Sequence, residues 1–425
     1  MSLSRPESIP FWKMCLIGSA LVCLEAAWSF TSPSYNPNAP HIWMALPDLD
    51  LYRSQTTGQQ YSFKPSDRQL MGKVGWLISD YRVNTDVAAY LLLAHDFPKF
   101  YFEGHTGLLT RPLYSVAVLL LAIPLSLLSD SYAMTFAAGL LLNLILFSVT
   151  ALLLFLLVRE HISPRVAILS SLLFIFSPMG HVWLIQPEPT VYGAFFVMTA
   201  LFLLNAYAKH PTVNRLIAYS LLIGLLLLGK KIFAVTFFIL LVGLWARRYR
   251  ESATFLLIHL VPYGLWCLWV TRVWHLPFYD EQTSGHWAMG SWLLAAAGWP
   301  WYQTVQRILR AIPAFLNAVL DGFLVLPVLF AALGFAVMRT KNKWLIAGSI
   351  TISFLILAFI ANLYIPRLGF LMFPIIYPAA VVGIDAAAEF LRTKIRLPET
   401  AFRAVTYALI VILSNLNVCH FVYYD

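Results

Sequence analysis

Apolar runs long enough to cross a bilayer recur along this chain, separated by short polar or basic breaks. The exception lies near the start, where roughly eighty residues separate the first run from the next, far more than a helix connection needs. A bilayer core is crossed by about 20 apolar residues in a helix, which satisfies its own backbone hydrogen bonds. On that rule the runs predict spanning helices at 11–30, 131–158, 166–184, 191–208, 214–229, 232–246, 253–271, 313–338, 344–363, 368–384 and 404–421. No internal repeat or low-complexity tract divides these eleven crossings, so residues 1–425 read as one all-α polytopic membrane domain.

The run 113–128 is apolar too, yet as a twelfth crossing it would put the following basic clusters on the wrong side. Placed along the outer surface, as an interfacial or half-inserted helix bent at Pro124, it sends the clusters at 159–165, 209–215, 247–250, 339–343 and 392–403 to the cytoplasmic side. A first outer loop then spans 31–130 and a second 272–312, with shorter turns at 186–190, 229–231 and 364–367 on the same face.

Composition agrees with this class: 60% of the 425 residues are hydrophobic and only 12% are charged, about half the usual share for a soluble protein. The net charge of +9 resides in those short clusters and is not interleaved with aromatics on a polar face, so it points to topology and not to nucleic acid. Cys15, Cys23, Cys267 and Cys419 all fall in apolar stretches without ligand-like spacing and argue for neither a disulfide framework nor a metal centre. The first run has no small-residue cleavage site after it and reads as an uncleaved anchor with a cytoplasmic amino terminus.

The outer face carries the candidate chemistry. Asp86 opens a short helical stretch leading to Phe97, and is either a plain helix-starting carboxylate or a reactive acid. Glu103 follows in the same loop, and Arg111, held by Pro112 where the chain re-enters the membrane, suits either a snorkelling anchor or a contact to an anionic headgroup. Pro187 and Pro189 fix a sharp turn around Glu188. Lys230 and Lys231 form an outer-face cation pair against the positive-inside trend, and Arg367 beside Pro366 is another, so a specific anion accounts for them better than topology does. Glu25, His259 and Asp321 lie within spanning runs and read as groups facing the bundle interior. Asp280, Glu281 and His286 form a loop cluster that reads as solvated residues or as a divalent-metal site that no ligand spacing supports, and no cofactor is required by this sequence.

In order and placement these residues resemble those of the membrane-embedded glycosyltransferases of the GT-C superfamily, in the branch of the protein mannosyltransferases and lipid A aminoarabinose transferases. The resemblance covers the layout of nearly the whole chain and implies a GT-C-type bundle of about eleven transmembrane helices, with surface-lying helices in the long first outer loop. It matches Asp86 to the catalytic loop acid, Arg111-Pro112 to the basic-proline element and 113–128 to the helix on the membrane. Glu188 takes the place of a supporting acid between the third and fourth crossings, Lys230 that of a lysine after the fifth, and Arg367 that of a late basic residue. Two departures stand out. Val87 follows Asp86 where many relatives have a second acid, leaving Asp80, Asp96 or Glu103 to serve, and the chain ends at Asp425 without the soluble domain some relatives carry.

The resemblance implies inverting transfer of a sugar from a polyprenyl-phosphate donor to a lipid, glycan or protein acceptor, on the periplasmic face of a bacterial inner membrane. Asp86 would act as general base, and Arg111, Lys230, Lys231 and Arg367 would hold the donor phosphate. The alternative reading is a transporter or flippase for a lipid-linked or anionic solute. Such proteins usually show two matched halves, which this sequence lacks.

Overall fold

The computed structural model of the chain describes residues 10–31, 90, 94–95, 112–128, 132–177, 180, 183–230, 247–273, 300–303, 305–306, 309, 325–338, 370–395 and 398–421. Within them the helices are α1 (Phe11–Thr31), α2 (Pro112–Ser126), α3 (Tyr132–His161), α4 (Pro164–Ile175), α5 (Pro189–Lys209), α6 (Val213–Leu226), α7 (Tyr249–Val273), α8 (Val325–Val337), α9 (Phe373–Ile395) and α10 (Glu399–Phe421). The described residues contain no strand. The runs expected at 232–246 and 344–363 lie outside them, as does most of the first outer loop.

Four described helices are long and apolar enough to cross a membrane, over Met134–His161, Pro189–Lys209, Tyr249–Arg272 and Phe373–Lys394. Their surfaces suit lipid. On α7 the exposed large side chains Leu257, Val261, Leu265, Leu268 and Trp269 recur at helical spacing along one face, an apolar stripe that water would penalise. The chain is therefore an α-helical, membrane-embedded protein.

The helix ends follow local chemistry. Ser163 caps α4, its hydroxyl accepting from the Val166 amide, and Pro164 occupies the first helical position, where a missing N–H costs nothing. Thr212 caps α6 in the same way through the Arg215 amide. The sequence pattern extends the third crossing to residue 184, whereas α4 stops at Ile175. Phe176 and Ser177 leave the helix because Ser177 precedes a proline, which disfavours helical backbone, and the Ser177 hydroxyl turns to accept from the Gly180 amide instead.

Helix α3 is the hub and packs against α1, α2, α4 and α5, while α6 packs on α7 and α9 on α4 and α8. The deepest part of the core is aromatic: Phe147 of α3 stacks on Phe174 of α4 with ring centroids 4.7 Å apart, and Phe370 closes over both, at 6.2 and 5.7 Å. Helices α8 and α9 meet backbone to backbone, since a Cβ at Gly334 would lie 1.8 Å from the Ala379 carbonyl oxygen.

Ion pairs gather many of the helix ends into one face. Lys209 at the end of α5 pairs with Glu160 at the end of α3 at 2.6 Å, and Tyr207 reaches Glu251 at the start of α7 at 2.9 Å. Asp385 of α9 pairs with Arg165 of α4 at 3.5 Å and with Arg403 of α10 at 3.2 Å. Arg159 contacts the sulfur of Met14 near the start of α1. The basic clusters at 159–165, 209–215, 247–250 and 392–403 thus share one end of the bundle, while the cluster at 339–343 lies outside the described residues.

Candidate functional site

At the opposite end, the N-termini of α2 and α5 meet on α3, and the C-terminus of α6 is bonded to both of them. Helix α3 has 30 residues and is about 45 Å long, more than the roughly 30 Å bilayer core. Asn143, in its first half, lies seventeen residues from the charged end at Glu160, or about 26 Å. The site therefore lies nearly one hydrocarbon thickness away from the charged end.

Asn143 is fully buried and uses both ends of its amide. Its oxygen accepts from the Tyr114 hydroxyl of α2 at 3.1 Å, and its nitrogen donates to the carbonyls of Gln186 at 2.5 Å and Trp183 at 3.3 Å. Those carbonyls belong to the segment that leads into the Pro187-Glu188-Pro189 turn. The turn is tight: the Glu188 amide donates to the Gln186 carbonyl at 2.7 Å, and the Thr190 amide to that of Glu188 at 2.8 Å.

Glu188 stands at the N-cap of α5 with extended backbone, and Pro189 fills the first helical position. Its carboxyl group, almost fully buried, accepts from the Thr190 hydroxyl. The oxygen of Thr190 also accepts from the ammonium of half-buried Lys230 at 3.3 Å. A single hydroxyl thereby joins the acid of one turn to the cation of another.

Lys230 is held there by the end of α6. The last carbonyls of a helix have no partner within it, and here two neighbouring helices supply donors. Tyr192 of α5 donates to the Leu226 carbonyl at 2.8 Å, and the Leu113 amide, an equally unpaired donor in the first turn of α2, donates to the Leu228 carbonyl at 3.2 Å. Gly229 lets the chain pass the Tyr192 ring, because a Cβ there would lie 2.2 Å from the ring's Cζ. Tyr114 stands edge-on between Tyr192 and Tyr90, with centroids 6.4 and 5.7 Å away, and His95 lies 3.2 Å from the Thr135 hydroxyl of α3. Two described residues of the first outer loop thus touch the bundle at this end.

Of the candidate residues, Glu188 and Lys230 are brought together through Thr190. Asp86, Glu103, Arg111, Lys231 and Arg367 lie outside the described residues, as do Asp280, Glu281, His286 and Asp321. Asp86 precedes Tyr90 by four positions in the sequence, and Arg111 adjoins Pro112, the first residue of α2. Glu25 and His259 are buried, on α1 and α7. Among the described residues no three His, Cys, Asp or Glu side chains group as metal ligands would, and Cys15, Cys23 and Cys267 form no disulfide.

Sequence reasoning missed Asn143, Tyr192 and the bridging role of Thr190. Asn143 carried a signal: an amide inside one of the most apolar runs of the chain is costly in lipid unless it is bonded. Comparison with protein-family models, with curated proteins and with solved structures finds no match to this chain.

Proposed function

We propose that this chain is an inverting glycosyltransferase, an eleven-crossing bundle of the GT-C type, that moves a sugar from polyprenyl phosphate to an acceptor hydroxyl. The observation that carries this reading is the Glu188, Thr190 and Lys230 cluster, buried at the end of the bundle away from the basic clusters and beside the start of α2. A half-buried ammonium at that depth fits a lipid phosphate entering from the bilayer side.

In this reading Asp86 takes the proton of the acceptor hydroxyl as its oxygen attacks the anomeric carbon opposite the phosphate. The bond from that carbon to the phosphate oxygen breaks, and polyprenyl phosphate leaves with the electron pair. The leaving group needs positive charge and no general acid, in contrast to glycoside hydrolysis. Lys230 supplies that charge, with Arg111, Lys231 and Arg367 as further donors and Glu188 and Glu103 as supporting acids. Helix α2 lines the prenyl groove, no metal is needed, and the site faces the periplasm of a bacterial inner membrane.

The test is transfer activity in membranes. Asp86→Asn should abolish it with expression intact, and full residual activity overturns the assignment. Lys230→Ala should weaken polyprenyl-phosphate binding by at least about tenfold, since a charge-assisted contact is worth about 1.5–3 kcal/mol, whereas Lys209→Ala, at the other end of the bundle, should not. Equal effects would contradict the proposed site.

A further inference from the structure

We infer that Asn143 is a positioning residue that sets the location of Lys230 relative to α2, a role that rests on the transferase reading only for its effect on turnover. The amide joins three chain segments at one point: the Tyr114 hydroxyl of α2 donates to its oxygen, and its nitrogen donates to the carbonyls of Trp183 and Gln186. From Gln186 the chain runs directly into the turn that ends at Thr190, and Thr190 accepts from Lys230. The backbone two residues before Lys230 is in turn tied to α2, where the Leu113 amide donates to the Leu228 carbonyl. Asn143, the 186–190 turn, the end of α6 and the start of α2 therefore form a closed ring of bonds, with Asn143 at its buried corner.

The chemistry of the corner selects an amide. It needs one acceptor and two donors at fixed angles, in a fully buried place where an unmade bond is expensive. An aspartate there would set a carboxylate against two carbonyl oxygens and lose both donors. A leucine would keep the volume and strand all three partners. No other side chain of that size can serve both roles.

Purified full-length protein with Asn143→Asp, Asn143→Gln or Tyr114→Phe tests the inference in two separable ways. The first is labelling of individual lysines by sulfo-NHS acetate, read by mass spectrometry. Asn143→Asp should raise the rate at Lys230 about fivefold or more, by releasing a contact of about 1 kcal/mol, while the rate at Lys209 at the other end stays unchanged. Tyr114→Phe, which removes one bond of three, should give a smaller rise, and Asn143→Gln, which keeps the amide, a smaller rise than the aspartate. Unchanged labelling at Lys230 overturns the inference, as does an equal rise at Lys209, which would mean general unfolding. The second readout is affinity for undecaprenyl phosphate together with transfer rate. Asn143→Asp should weaken the former about tenfold, the loss of one properly placed charged contact, with partial recovery in Asn143→Gln. If labelling responds as expected but Asp86→Asn retains transfer, the transferase reading fails and the positioning role stands. If Asp86→Asn loses transfer and Asn143→Asp keeps both affinity and labelling, the positioning role fails alone.

Discussion

The two ends of this bundle solve the same problem, how to place polar groups at the edge of a bilayer, in opposite ways. At the basic end charges lie largely in the open: Arg165, Lys209, Arg248 and Arg392 are each about half exposed and pair with acids that are themselves partly solvated. At the other end Tyr114, Asn143, Gln186, Glu188 and Thr190 are buried, and the bonds of Asn143 join segments 29 to 43 positions apart in sequence. Exposed pairs contribute about 0–1 kcal/mol each and tolerate loss. A buried polar group left without its partner costs about 1–3 kcal/mol, so the second arrangement tolerates little. One end is built to sit in a headgroup layer, and the other is built to hold its shape.

The largest expected effect comes from crowding the buried end. In Gly229→Ala the added methyl would meet the Tyr192 ring at 2.2 Å, and to admit it a buried ring bonded to the Leu226 carbonyl and packed against Tyr114 must shift. Overpacking of this kind costs about 1–3 kcal/mol, and it should displace Lys230 as well. Reversible unfolding in mixed micelles should report the loss of stability, and polyprenyl-phosphate binding the loss of the site. Gly18→Ala on α1 is the matched control, because nothing lies within 4 Å of the added carbon; it should be neutral or stabilise by up to about 1 kcal/mol through helix propensity. Equal losses in both would erase the distinction between the ends.

That asymmetry also explains what the sequence made legible. The apolar runs foretold α1, α3, α5 and α7 to within a few residues, because burial in lipid leaves a composition signal that needs no knowledge of neighbours. The basic clusters were legible for the same reason, each being a local charge excess. Glu188 and Lys230 stood out as charges in unexpected places. Asn143, Tyr192 and the bridging hydroxyl of Thr190 act through bonds that span two to forty-three positions, and the packing of α2 and α5 on α3 and of α6 on α5 brings those partners together. The break in helix after Ile175 is not legible in the apolar run, because hydrophobicity continues past it while the proline after Ser177 decides the backbone.

An intermediate effect is expected at a mostly buried cation of the basic end. Arg403 bridges Asp385 and Glu399 and so ties α9 to the first turn of α10, with Arg165 adding α4 through the same aspartate. Arg403→Ala leaves Asp385 partly solvated and still paired with Arg165, so the loss should fall near 1–2 kcal/mol, between a buried and a surface pair. The same unfolding measurement in micelles checks it. A loss as large as that of Gly229→Ala would show that the basic end, too, is a rigid element.

The smallest effect belongs to Arg248, and it sharpens the comparison most because its expected value is close to nothing. Its guanidinium pairs with Glu251 at 3.1 Å across one helical turn, and both side chains are more than a third exposed. Glu251 keeps a second partner in the Tyr207 hydroxyl at 2.9 Å, so Arg248→Ala strands no buried group. The pair should contribute about 0.2–0.5 kcal/mol at low ionic strength. Raising the salt to about 1 M, where the screening length falls to about 3 Å, should remove even that. Transfer and polyprenyl-phosphate binding should match the wild type, since the charge lies at the opposite end of the bundle from Lys230. A salt-insensitive loss above about 1 kcal/mol would mean that this pair is shielded from solvent, and would place the boundary between the two kinds of end elsewhere in the molecule.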